Sequence, residues 1–129
     1  MKTTSHKQNA YFKNQVLTAD KKQLVLMMYD GAIRFLIKAK IEVKRNNKRE
    51  QGIFLSKANN IIIELSNSLD FGQDPIATDL HWFYSTISNY ILDANINNDP
   101  AKIEDAIKML EELYEGWSEL FAKDVAGGN

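Results

Sequence analysis

The sequence contains no cysteine and only two histidines, His6 and His81, in 129 residues. Without a thiol the chain forms no disulfide, has no thiolate nucleophile and offers no Cys-based zinc site. Neither histidine belongs to an HExxH motif, and no Glu-x-x-His pair of the di-iron type is present. We therefore predict that the protein holds no metal and no cofactor.

Proline and glycine are also scarce, with two prolines and six glycines. No glycine-rich phosphate loop is present, since Gly31 and Gly116 stand isolated within apolar patterns. The two prolines follow aspartates, at 74–75 and 99–100, which is typical of a capped helix start with proline at the first helical position. Thr18 offers a similar cap before the first long apolar segment.

A strong net charge and a long apolar run are both missing. The chain has 16 Lys and Arg against 17 Asp and Glu, so it lacks the basic field typical of nucleic-acid binding. The longest apolar stretch, from Leu24 to Leu36, is interrupted by Asp30 and Arg34 and is shorter than the ~20 residues that a membrane helix needs. The polar N-terminus does not read as a signal peptide. We expect a cytoplasmic protein that binds no nucleic acid and inserts in no membrane.

Hydrophobic residues make up 44% of the chain, enough for the core of one domain. Helical periodicity and short breaks predict an all-α fold, an antiparallel up-down-up-down four-helix bundle. A short N-terminal arm, residues 1–18, precedes the bundle of residues 19–122, and residues 123–129 form a flexible C-terminus. The four helices are expected near 19–46, 50–70, 75–96 and 100–122.

Counting 100° per residue places one apolar face on each of the last three helices. The fourth helix is the clearest, because an acidic face lies opposite its apolar one. The predicted core faces are Phe54, Ala58, Ile61, Leu65 and Leu69 on the second helix, Leu80, Tyr84, Ile87, Ile91 and Ala94 on the third, and Ile103, Ile107, Leu110, Tyr114, Trp117 and Phe121 on the fourth.

The first helix is apolar on two sides. Its predicted core stripe consists of Leu24, Met28, Gly31, Phe35 and Ala39. A second apolar stripe, expected on roughly the opposite face, consists of Leu26, Ile33, Ile37 and Ile41. Ile63 and Trp82 are also apolar residues away from the core faces of their helices.

Two interpretations of this second stripe remain open and are compatible with each other. The N-terminal arm, with Tyr11, Phe12, Val16 and Leu17, could cover it within the same molecule. Alternatively, the stripe forms a groove for an amphipathic helix of another protein. An arm that covers a groove can also be displaced from it.

A histidine phosphotransfer bundle is the best enzyme-like alternative, with His81 as the phosphorylated residue. The residues after His81 are Trp82, Phe83, Tyr84 and Ser85, whereas phosphotransfer histidines are usually followed by a lysine and a small residue. A partly buried, hydrogen-bonded histidine is the simpler interpretation.

Several segments resemble those of a known family. They are Asn9-Ala10-Tyr11, Gln15-Val16 and the run Met27-Met28-Tyr29-Asp30-Gly31-Ala32-Ile33-Arg34-Phe35-Leu36 near the N-terminus, and Ser68-Leu69-Asp70, Ala94-Asn95 and Trp117 further on. Together they are similar to the flagellin export chaperones, the FliS family. The resemblance covers about residues 9–117. One departure is Lys21, where the family often has a proline.

The resemblance implies a four-helix bundle that binds the disordered C-terminal region of flagellin and presents it to the flagellar export apparatus. It also implies a gating role for Tyr11, Gln15 and Val16, because the N-terminal segment of such proteins can occupy the groove. We expect no catalytic activity and a monomer or homodimer. The predicted client-binding or gating residues are Tyr11, Gln15, Val16, Leu26, Tyr29, Ile33, Ile37, Ile41, Ile63 and Trp82. A non-catalytic adaptor that binds a folded partner is the rival hypothesis.

Overall fold

Four α-helices form the structure, a computed structural model that describes residues 21–73 and 75–127, with side chains up to Lys123. The helices are α1 (Lys21–Lys44), α2 (Lys48–Asn67), α3 (Ala77–Asn97) and α4 (Pro100–Gly127). Both α1 and α3 pack against α2 and α4, so the helices form a closed ring in chain order. Short connections at 45–47 and 98–99 make neighbouring helices antiparallel. Within the described ranges the fold is the predicted all-helical four-helix bundle.

The core of the bundle agrees with the prediction on α3 and on the first half of α4. All five predicted residues of α3, from Leu80 to Ala94, are buried. On α4, Ile103, Ile107 and Leu110 are buried together with Ala106. Trp117 packs only against the edge of the core, and the predicted core residue Tyr114 is exposed. The buried residues of these segments recur at helical spacing, which is why the periodicity placed them correctly.

The predicted core stripe of α1 is confirmed at Ala39 but is otherwise displaced by about a third of a turn. The buried residues are Tyr29, Ala32, Leu36 and Ala39, whereas Met28 and Phe35 pack at the edge of the core. Because α1 carries apolar residues on both sides of its buried face, the sequence pattern does not show which residues lie at the centre of that face. The true centre carries two alanines, which hydrophobicity alone does not favour over leucine or phenylalanine.

On α2 the predicted core residues Ala58 and Leu65 are confirmed, whereas the rest of the predicted face is displaced as on α1. Leu55, Ala58, Ile62 and Leu65 are buried, whereas the predicted Phe54, Ile61 and Leu69 lie at the core edge. A Cβ added to Gly31 of α1 would lie 3.4 Å from a side-chain carbon of Ile61. This close approach of α1 and α2 agrees with the helix contact expected at a glycine within a helix.

Only one of the two predicted Asp-Pro helix starts is confirmed. Pro100 is the first residue of α4, and the Asp99 carboxylate accepts a hydrogen bond of 2.9 Å from the amide of Ala101. In contrast, α3 begins at Ala77, where the Leu80 amide donates to the Ile76 carbonyl, and Pro75 lies in the preceding turn. The predicted caps Asp74 and Thr18 lie outside the described residues. At the other end, α4 continues to Gly127, past its predicted end at 122.

A hydrogen-bonded group of three aromatic side chains crosses the bundle. The hydroxyls of Tyr29 on α1 and Tyr84 on α3 are 2.6 Å apart, and Trp117 Nε1 on α4 donates to the Tyr29 hydroxyl at 2.7 Å. Tyr29 and Tyr84 are almost fully buried. We call Tyr29, Tyr84 and Trp117 the aromatic network. It connects α1 to α3, which are diagonally opposite.

A second polar cluster closes the end of the bundle where both short connections lie. Gln51 is buried at the start of α2 and donates to the side-chain oxygens of Asn95, at 3.2 Å, and Asn98, at 3.0 Å. Lys48 also donates to the Asn98 side chain, at 2.7 Å. Asn98 is the left-handed cap of α3, with φ 50°, and Asn46 has a similar φ of 58°.

Glycine replacements should separate the two roles of these asparagines. Both positions have the left-handed backbone that glycine favours. Of these two asparagine side chains, however, only that of Asn98 accepts hydrogen bonds from the described residues. Its donors are Lys48 and the buried Gln51. We expect Asn98→Gly to be less stable than Asn46→Gly by about 1–2 kcal/mol in urea unfolding. Equal stability of the two variants would contradict a structural role for the cluster.

The aromatic network also predicts a dependence of stability on alkaline pH. Burial raises the pKa of both Tyr29 and Tyr84 above the ordinary tyrosine value of about 10. Above that pH the unfolded chain loses protons that the folded chain retains, so the free energy of unfolding falls as pH rises. Each tyrosine contributes a slope of up to about 1.4 kcal/mol per pH unit. Tyr84→Phe should therefore flatten the decline measured by urea unfolding above pH ~10, and an unchanged slope would refute this reading.

Candidate functional site

The second apolar stripe of α1 lies on the shoulder of the helix that faces α4. Ile33 directly follows the buried Ala32, and Ile37 directly follows the buried Leu36. One residue is a rotation of about 100°, so the stripe is beside the core stripe rather than opposite it. The prediction that the second stripe lies roughly opposite the core stripe was therefore wrong. It depended on a predicted core stripe that is displaced from the buried one.

A surface groove between α1 and α4 is built on this shoulder. Its apolar residues are Ile37 and Ile41 from α1 and Ile107 from α4. Ile37 is 47% exposed and Ile41 44% exposed, while Ile107 forms a buried floor. The volume is about 340 Å³, and charged residues complete the lining: Lys40, Lys44, Glu104 and Glu111. We call these seven residues the α1/α4 groove.

The charged rim of the α1/α4 groove is partly neutralised by an ion pair. Lys40 of α1 donates to the carboxylate of Glu104 on α4, and both side chains are about one-third exposed. This hydrogen bond, with further attraction from Lys108 and Lys44, lowers the pKa of Glu104 below its ordinary value. The groove thus presents apolar side chains between fixed charges of both signs, which suits an amphipathic helix.

The other predicted residues of α1 are less accessible. Ile33 is partly buried and packs against the core, and Leu26 is also partly buried. Tyr29 is fully buried, and its hydroxyl is engaged in the aromatic network. In this conformation Tyr29 cannot contact a partner directly, although it holds α1 in the rotation that presents Ile37 and Ile41.

Ile63 lies in a different groove, between α2 and α3. This groove has a volume of about 330 Å³, and none of its lining residues is charged. The lining comprises Ile62, Ile63, Ser66, Asn67, Tyr84, Ser85, Ser88 and Asn89. The hydroxyl of Ser88, one of the lining residues, donates to the side-chain oxygen of Asn59 at 2.7 Å. Its hydroxyl and amide groups distinguish it from the charged α1/α4 groove.

Trp82 and His81 lie near the start of α3, and both are exposed. Trp82 is 61% exposed, with its ring 5.1 Å from that of Phe83 in an edge-on arrangement. His81 Nδ1 is 3.3 Å from the Ser66 hydroxyl, and its imidazole packs edge-on against Phe71. The simpler expectation of a hydrogen-bonded histidine is confirmed, except that His81 is exposed rather than partly buried.

The predicted site residues therefore do not form one surface. Ile37 and Ile41 share a groove, while Ile63 and Trp82 lie on other helices. Tyr11, Gln15 and Val16 lie outside the described residues.

Several groove-lining or exposed apolar residues were not predicted from the sequence. Ile107, Glu104 and Glu111 join the α1/α4 groove only because α4 packs against α1. Leu92 and Ile96 of α3 are exposed, and their spacing of ten and fourteen residues from Trp82 was an available signal.

In residues 21–73 and 75–127, no helix combines the length and apolar character needed to cross a membrane. No group of three or more His, Cys, Asp or Glu side chains in that part is arranged to hold a metal ion.

Comparison of the sequence with known proteins relates this chain to one family. The family model described as "Flagellar protein FliS" matches residues 4–124. The flagellar secretion chaperone FliS of Escherichia coli strain K12 is 33% identical over 109 residues, covering 83% of this chain and 80% of that protein.

Two other relatives have the same name and similar coverage. The flagellar secretion chaperone FliS of Salmonella typhimurium strain LT2 is 33% identical over 116 residues, covering 86% of this chain and 84% of its own. That of Vibrio cholerae serotype O1 is 34% identical over 109 residues, covering 83% and 79%. These relatives are chaperones by name, and the family model spans nearly the whole sequence. This chain belongs to the FliS family of flagellar secretion chaperones.

Proposed function

We propose that the protein binds the disordered C-terminal region of flagellin in the cytoplasm, prevents its premature polymerisation and delivers it to the flagellar export apparatus. The observation that carries the proposal is the α1/α4 groove, where Ile37 and Ile41 remain about half exposed beside the buried Ile107. The groove is complete within one chain, so it serves equally in a monomer or a homodimer. The names of the relatives support a role in flagellar secretion.

The α1/α4 groove suits a client segment that folds into an amphipathic helix on binding. The apolar side of such a helix would cover Ile37 and Ile41, and its polar side would meet the charged rim. Ordering a disordered segment costs about 2–5 kcal/mol, which burial of apolar client side chains must exceed. The proposed function needs no catalytic residue, because the chaperone would act by reversibly burying apolar surface of its client.

A folded partner, as in the adaptor hypothesis, is distinguished by circular dichroism. A disordered flagellin segment should gain helicity on mixing with the chaperone, and titration calorimetry should show a favourable enthalpy of ordering. If the mixed spectrum equals the sum of the separate spectra while binding occurs, the partner was already folded and the proposal is wrong.

Ile37→Glu should leave the bundle folded and weaken binding of the flagellin segment at least tenfold, about 1.4 kcal/mol. The reason is that a carboxylate replaces a half-exposed apolar contact and must lose water on binding. Titration calorimetry with the C-terminal segment of the host's flagellin measures the change. Ile53→Glu is the matched control, since Ile53 is an exposed isoleucine on the outer side of α2 and lines none of the described grooves. Equal affinities of the two variants would exclude the α1/α4 groove as the binding site.

Leu110→Ala gives the opposite pattern and guards against a folding artefact. Leu110 is fully buried, so this change should destabilise the protein by about 2–5 kcal/mol. Where the bundle is still folded, client affinity should change little. Ile37→Glu, in contrast, should retain the melting temperature and lose affinity.

The N-terminal arm, with Tyr11, Gln15 and Val16, is proposed to occupy the client surface when the client is absent. Deletion through Leu17 should leave a folded bundle, since buried residues from all four helices pack together in one core cluster. The exposed groove should then promote self-association, and client affinity should be unchanged or tighter. Sedimentation velocity and calorimetry measure the two effects. A deletion variant that stays monomeric and binds more weakly would reject the gating role.

A further inference from the structure

The outer side of α3 carries an apolar surface that the proposed function does not use. Trp82 is 61% exposed, Leu92 54% and Ile96 76%, and all three lie on α3. The helix contains no Lys, Arg or Glu, and its charged residues are Asp79 and Asp93 alone. A surface helix normally carries charged residues on its solvent side, so this face differs from that of an ordinary solvated helix.

The spacing of the exposed residues is that of a helix-packing seam. Trp82, Ser85, Asn89, Leu92 and Ile96 recur at intervals of three and four residues, the a and d positions of a heptad repeat. The core of α3 uses a separate set at the same spacing, from Leu80 to Ala94. The helix therefore has two seams, one buried in its own bundle and one open. We call the open set the α3 outer face.

Asp93 makes this surface electronegative beside its most exposed apolar residues. It lies one turn before the C-terminal end of α3, where the helix dipole disfavours negative charge, and the last turn of α3 contains no basic residue. Asn97 donates a hydrogen bond to its carboxylate, which holds the charge next to Leu92 and Ile96. A lysine or arginine supplied from outside would be stabilised there.

These charges argue against a second copy of the chain as the occupant. Two α3 helices packed through this face would bring aspartates from both sides and no cation of their own. Like charges placed next to a seam oppose association. A partner helix with an apolar stripe and basic flanking residues complements both the shape and the charge.

The α3 outer face is also remote from the α1/α4 groove. Within the bundle, α3 packs against α2 and α4, and α1 lies across the diagonal. No residue of α3 lines the α1/α4 groove, so a helix confined to that groove leaves Leu92 and Ile96 uncovered. The two surfaces can therefore be occupied at the same time.

We propose that the α3 outer face docks an amphipathic helix of a second protein, with apolar residues at heptad spacing and Lys or Arg beside them, while the client occupies the α1/α4 groove. The chaperone is then a two-sided adaptor that holds its client on one side and is itself held on the other. This role does not depend on which segment of the client fills the α1/α4 groove.

The test uses the full chain and two synthetic peptides of about three heptads, each with Leu at the a and d positions. One has Lys at the flanking e and g positions, and the other has Glu there. Fluorescence anisotropy should show that the Lys peptide binds at least tenfold more tightly than the Glu peptide. Asp93→Asn should reduce that preference. Equal binding of the two peptides would overturn the proposed charge preference.

Leu92→Ser tests the surface itself, and Ile53→Ser is the matched control. Both parent side chains are exposed, so both variants should keep the circular dichroism and melting temperature of the parent. Leu92→Ser should lose at least tenfold in affinity for the Lys peptide, and Ile96→Ser should do the same. Ile53→Ser should bind as the parent does. Equal peptide binding by Leu92→Ser and Ile53→Ser would overturn the proposal.

Two further measurements separate other occupants of this face. If Leu92→Ser weakens flagellin binding as strongly as Ile37→Glu, the α3 outer face belongs to the client surface and the proposal is wrong. If the parent sediments as a dimer that Leu92→Ser dissociates, the occupant is a second copy and the proposal is also wrong. The expected result is unchanged client affinity and unchanged sedimentation, together with reduced swimming motility of cells that carry Leu92→Ser.

Discussion

The hydrogen bonds that join Tyr29, Tyr84 and Trp117 fix the arrangement on which the surfaces of the protein depend. Neighbouring helices pack against each other, whereas the diagonal pair α1 and α3 is joined by the hydrogen bond between the hydroxyls of Tyr29 and Tyr84. A buried hydroxyl without a partner is costly, so α1 must keep the rotation that points Tyr29 inward. In that rotation Ile37 and Ile41 lie on the shoulder beside α4. The α1/α4 groove is thus a consequence of a polar contact in the core.

One end of the bundle and the seams between its helices differ in their polar groups and in how closely the helices approach. One end is closed by Lys48, Gln51, Asn95 and Asn98, whose hydrogen bonds tie the two short connections together. The α1/α2 seam brings the helices close at Gly31. The α2/α3 seam is more open and is lined by serine and asparagine, and the α1/α4 seam by isoleucine and charge. Ligand-accessible space therefore lies along the seams of a bundle that its core and one end hold rigid.

A secretion chaperone needs surfaces that bind other chains and release them again. In the proposed function the half-exposed isoleucines of the α1/α4 groove would meet this need, because each would bury only part of its area on binding. The α3 outer face offers a second such surface with a different charge. A bundle of four helices suits two-sided binding, since each helix exposes an arc that the core does not use. The proposed binding functions depend on which of these exposed helix faces carry apolar side chains.

The sequence by itself determined the fold class, the number of helices and the core of α3 and of the first half of α4, because the buried residues of those segments recur at helical spacing. It also determined the start of α4, where Asp99 and Pro100 act through local backbone chemistry. The tertiary structure decided the rotation of α1, since a helix apolar on two shoulders is oriented only by what it packs against. It likewise decided that Tyr29 is a core residue, because the partners of its hydroxyl come from helices 55 and 88 residues further along the chain. The membership of the α1/α4 groove was decided in the same way, since Ile107 and Glu104 reach Ile37 and Lys40 only after α4 has folded back against α1.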